Sequence, residues 1–166
     1  MKTEEVVILN RVTLRDIQER DLPIFFEHQK DNIANHMAAF TSKDPTDWNL
    51  FSEHWSRILA DEAIIKRCIL LGNHEVGHIS SFEMFGEREV SYWIDRAHWG
   101  KGIATDALKQ FLLLETLRPL YARASKDNIG SRRVLEKCGF VITDEGSGFA
   151  NACDMEIEEF IFTLWR

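Results

Sequence analysis

Residues 90–114 constrain the fold more than any other part of the sequence, because they read as a strand, a turn and a helix. Val90, Tyr92 and Ile94 alternate with side chains of another kind, which is the pattern of a strand with two different faces. From Ala104 onward the apolar residues recur at helical spacing. The change of period within one short segment predicts a strand that is followed, after a short turn, by a helix.

Two glycines lie in the turn between this strand and this helix. Gly100 and Gly102 lack Cβ atoms at the point where the first backbone N–H groups of the helix have no helical partner. Such a helix N-terminus attracts anions, especially phosphate. A tight connection without any ligand explains the turn equally well on its own. The pyrophosphate site that we predict here therefore depends on what the rest of the chain contributes.

Length and composition narrow the class of protein. The 166 residues fit one domain, and a content of 45% apolar and 28% charged residues is that of a globular protein. The apolar runs are too short to cross a bilayer, and no signal-peptide core follows the first residues. We therefore expect a single domain over residues 1–166 in the cytoplasm, without membrane contact.

Charge and the metal-ligating residue types exclude further classes. A net charge of −7 without a basic run argues against nucleic-acid binding. Cys68, Cys138 and Cys153 are widely spaced, and the six histidines lack ligand spacing such as His-x-x-x-His. We predict no metal, no disulfide framework and no cysteine nucleophile.

Hydrophobic periodicity and turn residues predict the remaining elements. We expect residues 30–48 to be irregular, and Gly146–Gly148 to form a loop between the last two strands. The first helix should begin after Asp21 as its N-cap. The predicted strands cover residues 12–17, 64–71, 75–84, 89–95, 120–124, 140–143 and 154–164, and the other helices cover residues 50–61, residues from 104 onward, and residues 128–138. This order indicates one α+β domain.

A second motif follows the predicted strand at residues 120–124. Asn128 is followed by Ser131 and, after a helix, by Gly139 and Phe140. Gly139 suits the left-handed position that ends a helix. The Asn128 side chain can cap the helix and also hydrogen-bond an extended ligand.

The two motifs together resemble the GNAT superfamily of acyl-CoA-dependent N-acetyltransferases. The resemblance is closest to the subfamily that includes the N-terminal (alanine) acetyltransferases of ribosomal proteins. The family's signature Gln/Arg-x-x-Gly-x-Gly/Ala falls on Trp99, Gly102 and Ala104, and it departs from the pattern only at Trp99. The Asn-x-x-Ser motif with its later Gly-Phe is intact. The order of elements also matches from about residue 12 to the last residue.

This resemblance implies a single-domain GNAT fold and acetyl-CoA as the acyl donor. The expected sheet is mixed, mostly antiparallel and of about seven strands, splayed between strands 4 and 5, with about four flanking helices. Amides of the glycine turn would hold the pyrophosphate, and the pantetheine arm would pair with the splayed strand edge. The predicted contacts are Tyr92, Trp93, Ile94, Trp99, Gly100, Lys101, Gly102, Ile103, Ala104, Thr105, Asn128 and Ser131.

Acetyl transfer to an amine requires a proton acceptor, because an alkyl amine with a pKa of about 10 is protonated at neutral pH. Glu89 matches the base position proposed for the subfamily, and Glu83 and Glu87 are the alternatives. A solvated, ion-paired strand edge explains the same carboxylates without catalysis. A strand-edge backbone N–H near Tyr92–Ile94 would stabilise the oxyanion.

The leaving thiolate benefits from a hydrogen-bond donor. Many relatives carry a tyrosine in the last helix for this purpose, whereas this sequence has Leu135 at that place. As in the subfamily, Ser131 is then the predicted partner of the sulfur. A solvent-facing helix serine is the other interpretation of Ser131.

Several aromatic and basic residues allow two interpretations. Trp48, Phe51 and Trp55 either pack an amphipathic helix or line the acceptor groove, and packing is favoured. Trp93 and Trp99 flank the cleft segment and are expected to pack. Arg132 and Arg133 either reach the adenosine phosphates or lie free on the surface.

The resulting prediction is transfer of an acetyl group from acetyl-CoA to a primary amine in a ternary complex. The acceptor is a protein N-terminus or a small amine, and a homodimer is the default assembly. The alternative is a non-catalytic acyl-CoA-binding regulatory module on the same fold. A nicotinamide-binding oxidoreductase does not fit, because the turn lies late in the chain and lacks the third glycine.

Overall fold

A mixed sheet of seven strands lies at the centre of the described part of the chain. The structure is a computed structural model and describes residues 11–166. The strands follow the spatial order β1-β2-β3-β4-β5-β7-β6. Their bounds are β1 Val12–Arg15, β2 Ile65–Leu71, β3 His74–Met84, β4 Glu87–Ile94, β5 Leu120–Ser125, β6 Val141–Ala150 and β7 Met155–Leu164.

Five α-helices of the described chain cover the two faces of this sheet. They are α1 Leu22–Gln29, α2 Asn32–Ala38, α3 Trp48–Ala60, α4 Ile103–Phe111 and α5 Ile129–Lys137. Helices α1 and α3 pack on one face, around Phe25, Trp55 and Cys68. Helices α4 and α5 pack on the other face, where Leu108, Leu135 and most of the buried strand residues form the larger core.

Strands β4 and β5 are parallel, whereas all other neighbouring strands in the described sheet are antiparallel. One residue pair, Glu89 with Tyr121, joins them. Beyond this pair the two strands separate toward their carboxyl ends. The predicted mixed sheet with a splay between its fourth and fifth strands is therefore confirmed.

The expectation that residues 30–48 are irregular is wrong in part, because α2 occupies Asn32–Ala38. The Asp31 carboxylate caps this helix by accepting from the Ala34 N–H at 2.9 Å. Asp21, in contrast, does not cap α1 with its side chain. Its carboxylate is buried and accepts hydrogen bonds from Arg15 and from the Gln18 N–H.

The predicted loop at Gly146–Gly148 is also wrong, since β6 continues through it as a strand paired with β7. Both glycines allow a close approach of other side chains. A Cβ on Gly146 would lie 3.3 Å from Glu159 Oε1, and one on Gly148 would lie 3.3 Å from Phe40 Cε1. The long β6–β7 hairpin brings residues 149–153 over α2, where Ala152 N–H donates to the Ala39 carbonyl at 3.3 Å.

Among residues 11–166, no helix is both long and apolar enough to cross a bilayer. In the same range, no group of three or more histidine, cysteine or acidic side chains is arranged to hold a metal ion.

Candidate active site

The gap between β4 and β5 is the feature around which the predicted residues gather. Asp95 N–H donates to the Val76 carbonyl at 2.8 Å, in register with the β3–β4 ladder. Because backbone groups alternate along an antiparallel strand, those of Tyr92 and Ile94 point away from β3 and into the gap. The Ile94 carbonyl accepts the Trp99 indole N–H at 2.8 Å. The Tyr92 edge of β4 is thus available to an extended ligand.

The glycine turn lies at the carboxyl end of β4. Gly100 and Gly102 have φ values of 74° and 77°, and a Cβ on either would meet nothing within 4 Å. The first helical hydrogen bond of α4 joins Asp106 N–H to the Gly102 carbonyl at 3.1 Å. The amides of Ile103, Ala104 and Thr105 therefore have no partner inside the helix.

A surface depression of about 420 Å³ adjoins this helix N-terminus. Its two ammonium groups outnumber its one carboxylate, and with the helix amides that have no helical partner they give it a positive character suited to phosphate. Lys101 is exposed in the turn itself, whereas the Ile103 side chain is buried in the core. The depression is lined by Gly102, Thr105, Asp106, Lys109 and Lys137.

Asn128 closes the far side of the gap, at the start of α5. Its Oδ1 accepts from the Ser131 N–H at 3.1 Å, so the side chain caps the helix as predicted. Its Nδ2 donates to the Met37 carbonyl at 3.4 Å, which ties the start of α5 to the end of α2. Both ends of the amide are therefore engaged within the protein.

Ser131 and Tyr92 meet across the gap, with 2.8 Å between their hydroxyl oxygens. The Tyr92 phenol is mostly surrounded by protein, and burial raises its pKa to about 12, with the Ser131 hydrogen bond opposing this rise. Leu135 lies one helical turn beyond Ser131, is 1% exposed and belongs to the core. The sequence alone did not indicate the contact between the two hydroxyls.

Glu89 is buried and accepts a hydrogen bond from Arg123 Nε at 2.8 Å. Arg123 Nη1 also donates to Glu159 Oε1 of β7 at 2.9 Å. The two carboxylates and the guanidinium form a triad at the point where β4 and β5 last pair. Glu83 and Glu87, the alternative bases, are exposed near the β3–β4 turn.

Neither Arg123 nor Glu159 was among the predicted site residues. The alternation of side chains along β5 could have predicted the position of Arg123. Leu120, Ala122 and Ala124 are buried on one face, so Arg123 must face the other way. The same alternation places Glu89 and Trp93 on one face of β4, and the neighbouring strands turn Glu89 and Arg123 toward each other.

Two of the three aromatic residues of α3 are buried, and the third is exposed. Phe51 and Trp55 are buried, and Trp55 lies 4.8 Å from the His78 ring, so both pack as favoured. Trp48 is 41% exposed. The Trp93 indole N–H is buried without a hydrogen-bond partner among residues 11–166.

The two arginines of α5 lie on its outer surface. Arg132 forms an ion pair with Glu136 at 2.9 Å, and its guanidinium lies 5.4 Å from the Phe160 ring centre. Arg133 is exposed.

One family model matches most of the chain. The family model described as an acetyltransferase (GNAT) domain matches residues 11–141. No curated protein matches the chain by sequence.

Solved structures resemble the chain over nearly its whole length. A protein described as a "probable acetyltransferase" has a TM-score of 0.79 and 21% identity, covering 96% of this chain and 95% of that one. The ribosomal-protein-S5-alanine acetyltransferase of Vibrio fischeri has a TM-score of 0.72 and 18% identity, with coverages of 93% and 92%. The spermidine N-acetyltransferase of Vibrio cholerae, solved with CoA and spermine, has a TM-score of 0.72 and 18% identity, with coverages of 92% and 95%. At these identities the likeness shows a shared fold.

Proposed function

Since the chain belongs to the acetyltransferase (GNAT) domain family, we propose that it transfers an acetyl group from acetyl-CoA to a primary amine. The observation that carries the proposal is the gap that opens beyond the single residue pair between β4 and β5, toward a helix N-terminus whose first amides have no helical partner among the described residues. A strand edge for an extended amide chain and an anion site for its pyrophosphate then lie along one path.

The residues along this path fit acetyl-CoA. The amides of Ile103–Thr105, with Lys109 and Lys137 beside them, would hold the phosphates. The backbone of Tyr92 would pair with the pantetheine amides, and its N–H would stabilise the oxyanion that forms on the acetyl carbonyl. Ser131 at the deep end of the gap would contact the thioester sulfur.

Glu89 is the proposed general base on the opposite face of β4. Its carboxylate would take the proton of the attacking ammonium, directly or through a water molecule. Arg123 holds the carboxylate at 2.8 Å, which limits its rotation and leaves its second oxygen to act as acceptor. This layout supports direct transfer in a ternary complex, because amine and thioester would approach β4 from opposite faces.

The acceptor class is a primary amine of a protein N-terminus or of a small molecule. The solved structures with this fold include an enzyme for a ribosomal protein and one for spermidine, so the fold accommodates both kinds. A net charge of −7 favours a cationic acceptor through long-range attraction. The proposal also includes closest kinship with the ribosomal-protein subfamily, a cytoplasmic location, one domain over residues 1–166 and a homodimer.

Thermal unfolding with and without acetyl-CoA tests the donor. At about 100 times its dissociation constant, a ligand adds about 2.7 kcal/mol to stability, which raises the midpoint of this chain by about 5–10 °C. NADH and ATP are the controls and should produce a much smaller shift. No shift with acetyl-CoA would contradict the donor assignment.

Thiol release over a panel of amines and peptides then separates an enzyme from a binding module. The enzyme releases CoA only in the presence of an acceptor and forms an amide. A regulatory acyl-CoA-binding module shows the thermal shift without any thiol release, and that outcome would replace the proposed function by the alternative.

A further inference from the structure

The hydrogen bond between Tyr92 and Ser131 crosses the gap between β4 and β5. Tyr92 lies on β4, three residues beyond Glu89. Glu89 is the residue at which β4 is paired with β5. Ser131 lies in the first turn of α5, whose N-cap is Asn128. The 2.8 Å contact between the hydroxyls therefore joins both walls of the gap at its deep end.

The direction of this hydrogen bond determines what Ser131 offers to a ligand. Two hydroxyl groups share one hydrogen between their oxygens, and the second hydrogen is left for another acceptor. Tyr92 keeps its proton at any physiological pH, because burial raises its pKa to about 12. A phenol is also the more acidic of the two hydroxyls and hence the better donor. Tyr92 donating to Ser131 leaves the serine hydrogen free.

The chain has only two tyrosines, and Tyr92 alone is placed for this contact. Tyr121 belongs to the face of β5 opposite to Leu120 and Ala122, away from the core that contains α5. Leu135, one turn further along α5, is 1% exposed and has no donor. The phenol beside Ser131 therefore comes from β4 rather than from the helix.

We propose that Tyr92 is a positioning residue: its hydroxyl donates to Ser131 Oγ and turns the Ser131 hydrogen toward the sulfur of the thioester. This inference rests on the proposed function. When the C–S bond breaks, its electron pair stays on sulfur, and the Ser131 hydroxyl stabilises the thiolate by a hydrogen bond without giving up its proton. Tyr92 also keeps its proton, and the released thiolate is protonated by water.

The Tyr92→Phe variant tests the proposal because it removes only the hydroxyl oxygen. We expect kcat for CoA release to fall about tenfold, the size of one lost hydrogen bond, while KM for acetyl-CoA changes less than twofold. Tyr121→Phe, which removes the other phenol hydroxyl of the chain, should keep the wild-type kcat. The thermal midpoint of each variant, with and without acetyl-CoA, shows that it is folded and binds the donor.

A double-mutant cycle separates positioning from a merely structural contact. Tyr92→Phe should have no further effect on kcat in a Ser131→Ala background, because Tyr92 acts through Ser131. Ser131→Thr keeps a hydroxyl and should retain both most of the activity and its sensitivity to Tyr92→Phe. Multiplicative losses in the double variant, or a wild-type kcat in Tyr92→Phe, would overturn the proposal.

The proposed function and the role of Tyr92 can fail independently, and the activity of the wild-type protein distinguishes the two failures. A wild-type protein that releases no CoA with any amine contradicts the proposed function, and the role of Tyr92 falls with it. An active wild-type protein whose Tyr92→Phe variant is equally active contradicts only the role of Tyr92.

Discussion

Arg123 Nε lies 2.8 Å from Glu89 Oε1, and this hydrogen bond joins β5 to β4 at the only residue pair that the two described strands share. The same guanidinium reaches Glu159 of β7 with Nη1 at 2.9 Å. One cation thus holds two carboxylates that are 5% and 8% exposed. The proposed base is therefore also part of a structural ion pair, and its two roles can be separated by mutation.

Replacing Glu89 by Gln should lower kcat about 100-fold, since a general base contributes at least that much. The acetyl-CoA-dependent thermal shift should be retained, because the proposed donor site lies on the other face of β4. Glu159→Gln is the matched control, as it removes a second carboxylate from the same Arg123. Equal losses of kcat in the two variants would assign both residues to structure alone.

Removing the Arg123 guanidinium should lower the free energy of unfolding. In Arg123→Met two buried carboxylates lose their shared partner, and we expect about 2 kcal/mol of destabilisation, below the value for fully buried pairs because the Arg123 side chain is 30% exposed. Urea unfolding at pH 7 measures this difference. Arg132→Met removes an exposed pair within one helix and should change stability by less than about 0.5 kcal/mol. Equal stability of the two variants would refute this prediction.

The strand, turn and helix around Gly100 were predictable from sequence because each signal there is local. A period-2 segment, two glycines and a period-3.6 segment follow one another directly. The structure confirms the mixed sheet and its splay, and it places Asn128 as a helix cap.

Elements stabilised by distant contacts were not predictable in this way. Helix α2 has only seven residues and depends on the Asp31 cap and on packing against its neighbours. Strand β6 has a loop-like composition at Gly146–Gly148, yet its glycines admit the side chains of Glu159 and Phe40. The contact of Arg123 with Glu89 requires knowing which strands are adjacent, and that of Tyr92 with Ser131 also requires the position of α5.

A substitution in the glycine turn allows its effect on acetyl-CoA binding to be separated from its effect on stability. Gly102→Ala places a Cβ on a residue with φ of +77°, which should cost about 1 kcal/mol of stability. The added methyl group also points into the space expected for the pyrophosphate, so we expect the dissociation constant of acetyl-CoA to rise about tenfold.

Gly86→Ala is the control for that experiment, because Gly86 has φ of +78° and equally open surroundings in the β3–β4 turn. Its stability cost should be similar, and its affinity for acetyl-CoA should be that of the wild-type protein. Calorimetric titration with acetyl-CoA compares the two variants. Unchanged affinity in Gly102→Ala would place the pyrophosphate elsewhere.

His78 should make the protein sensitive to mild acid. Its ring lies 4.8 Å from both Phe25 and Trp55, and burial lowers its pKa to about 3, helped by the nearby His28 and His54. A histidine that is neutral in the folded state contributes stability above its unfolded pKa of about 6.5, and this contribution is lost as the pH falls toward 3. At pH 5 the expected loss is about 2 kcal/mol.

Urea unfolding of the wild-type protein and of His78→Phe between about pH 7.5 and about pH 4.5 measures this contribution. The aromatic replacement keeps the contacts with Phe25 and Trp55 and cannot be protonated, so its stability should fall less steeply below pH 6.5. His74→Gln changes an exposed residue at the start of β3 and should follow the wild-type curve. Identical slopes for wild type and His78→Phe would mean that His78 is not the source of the acid sensitivity.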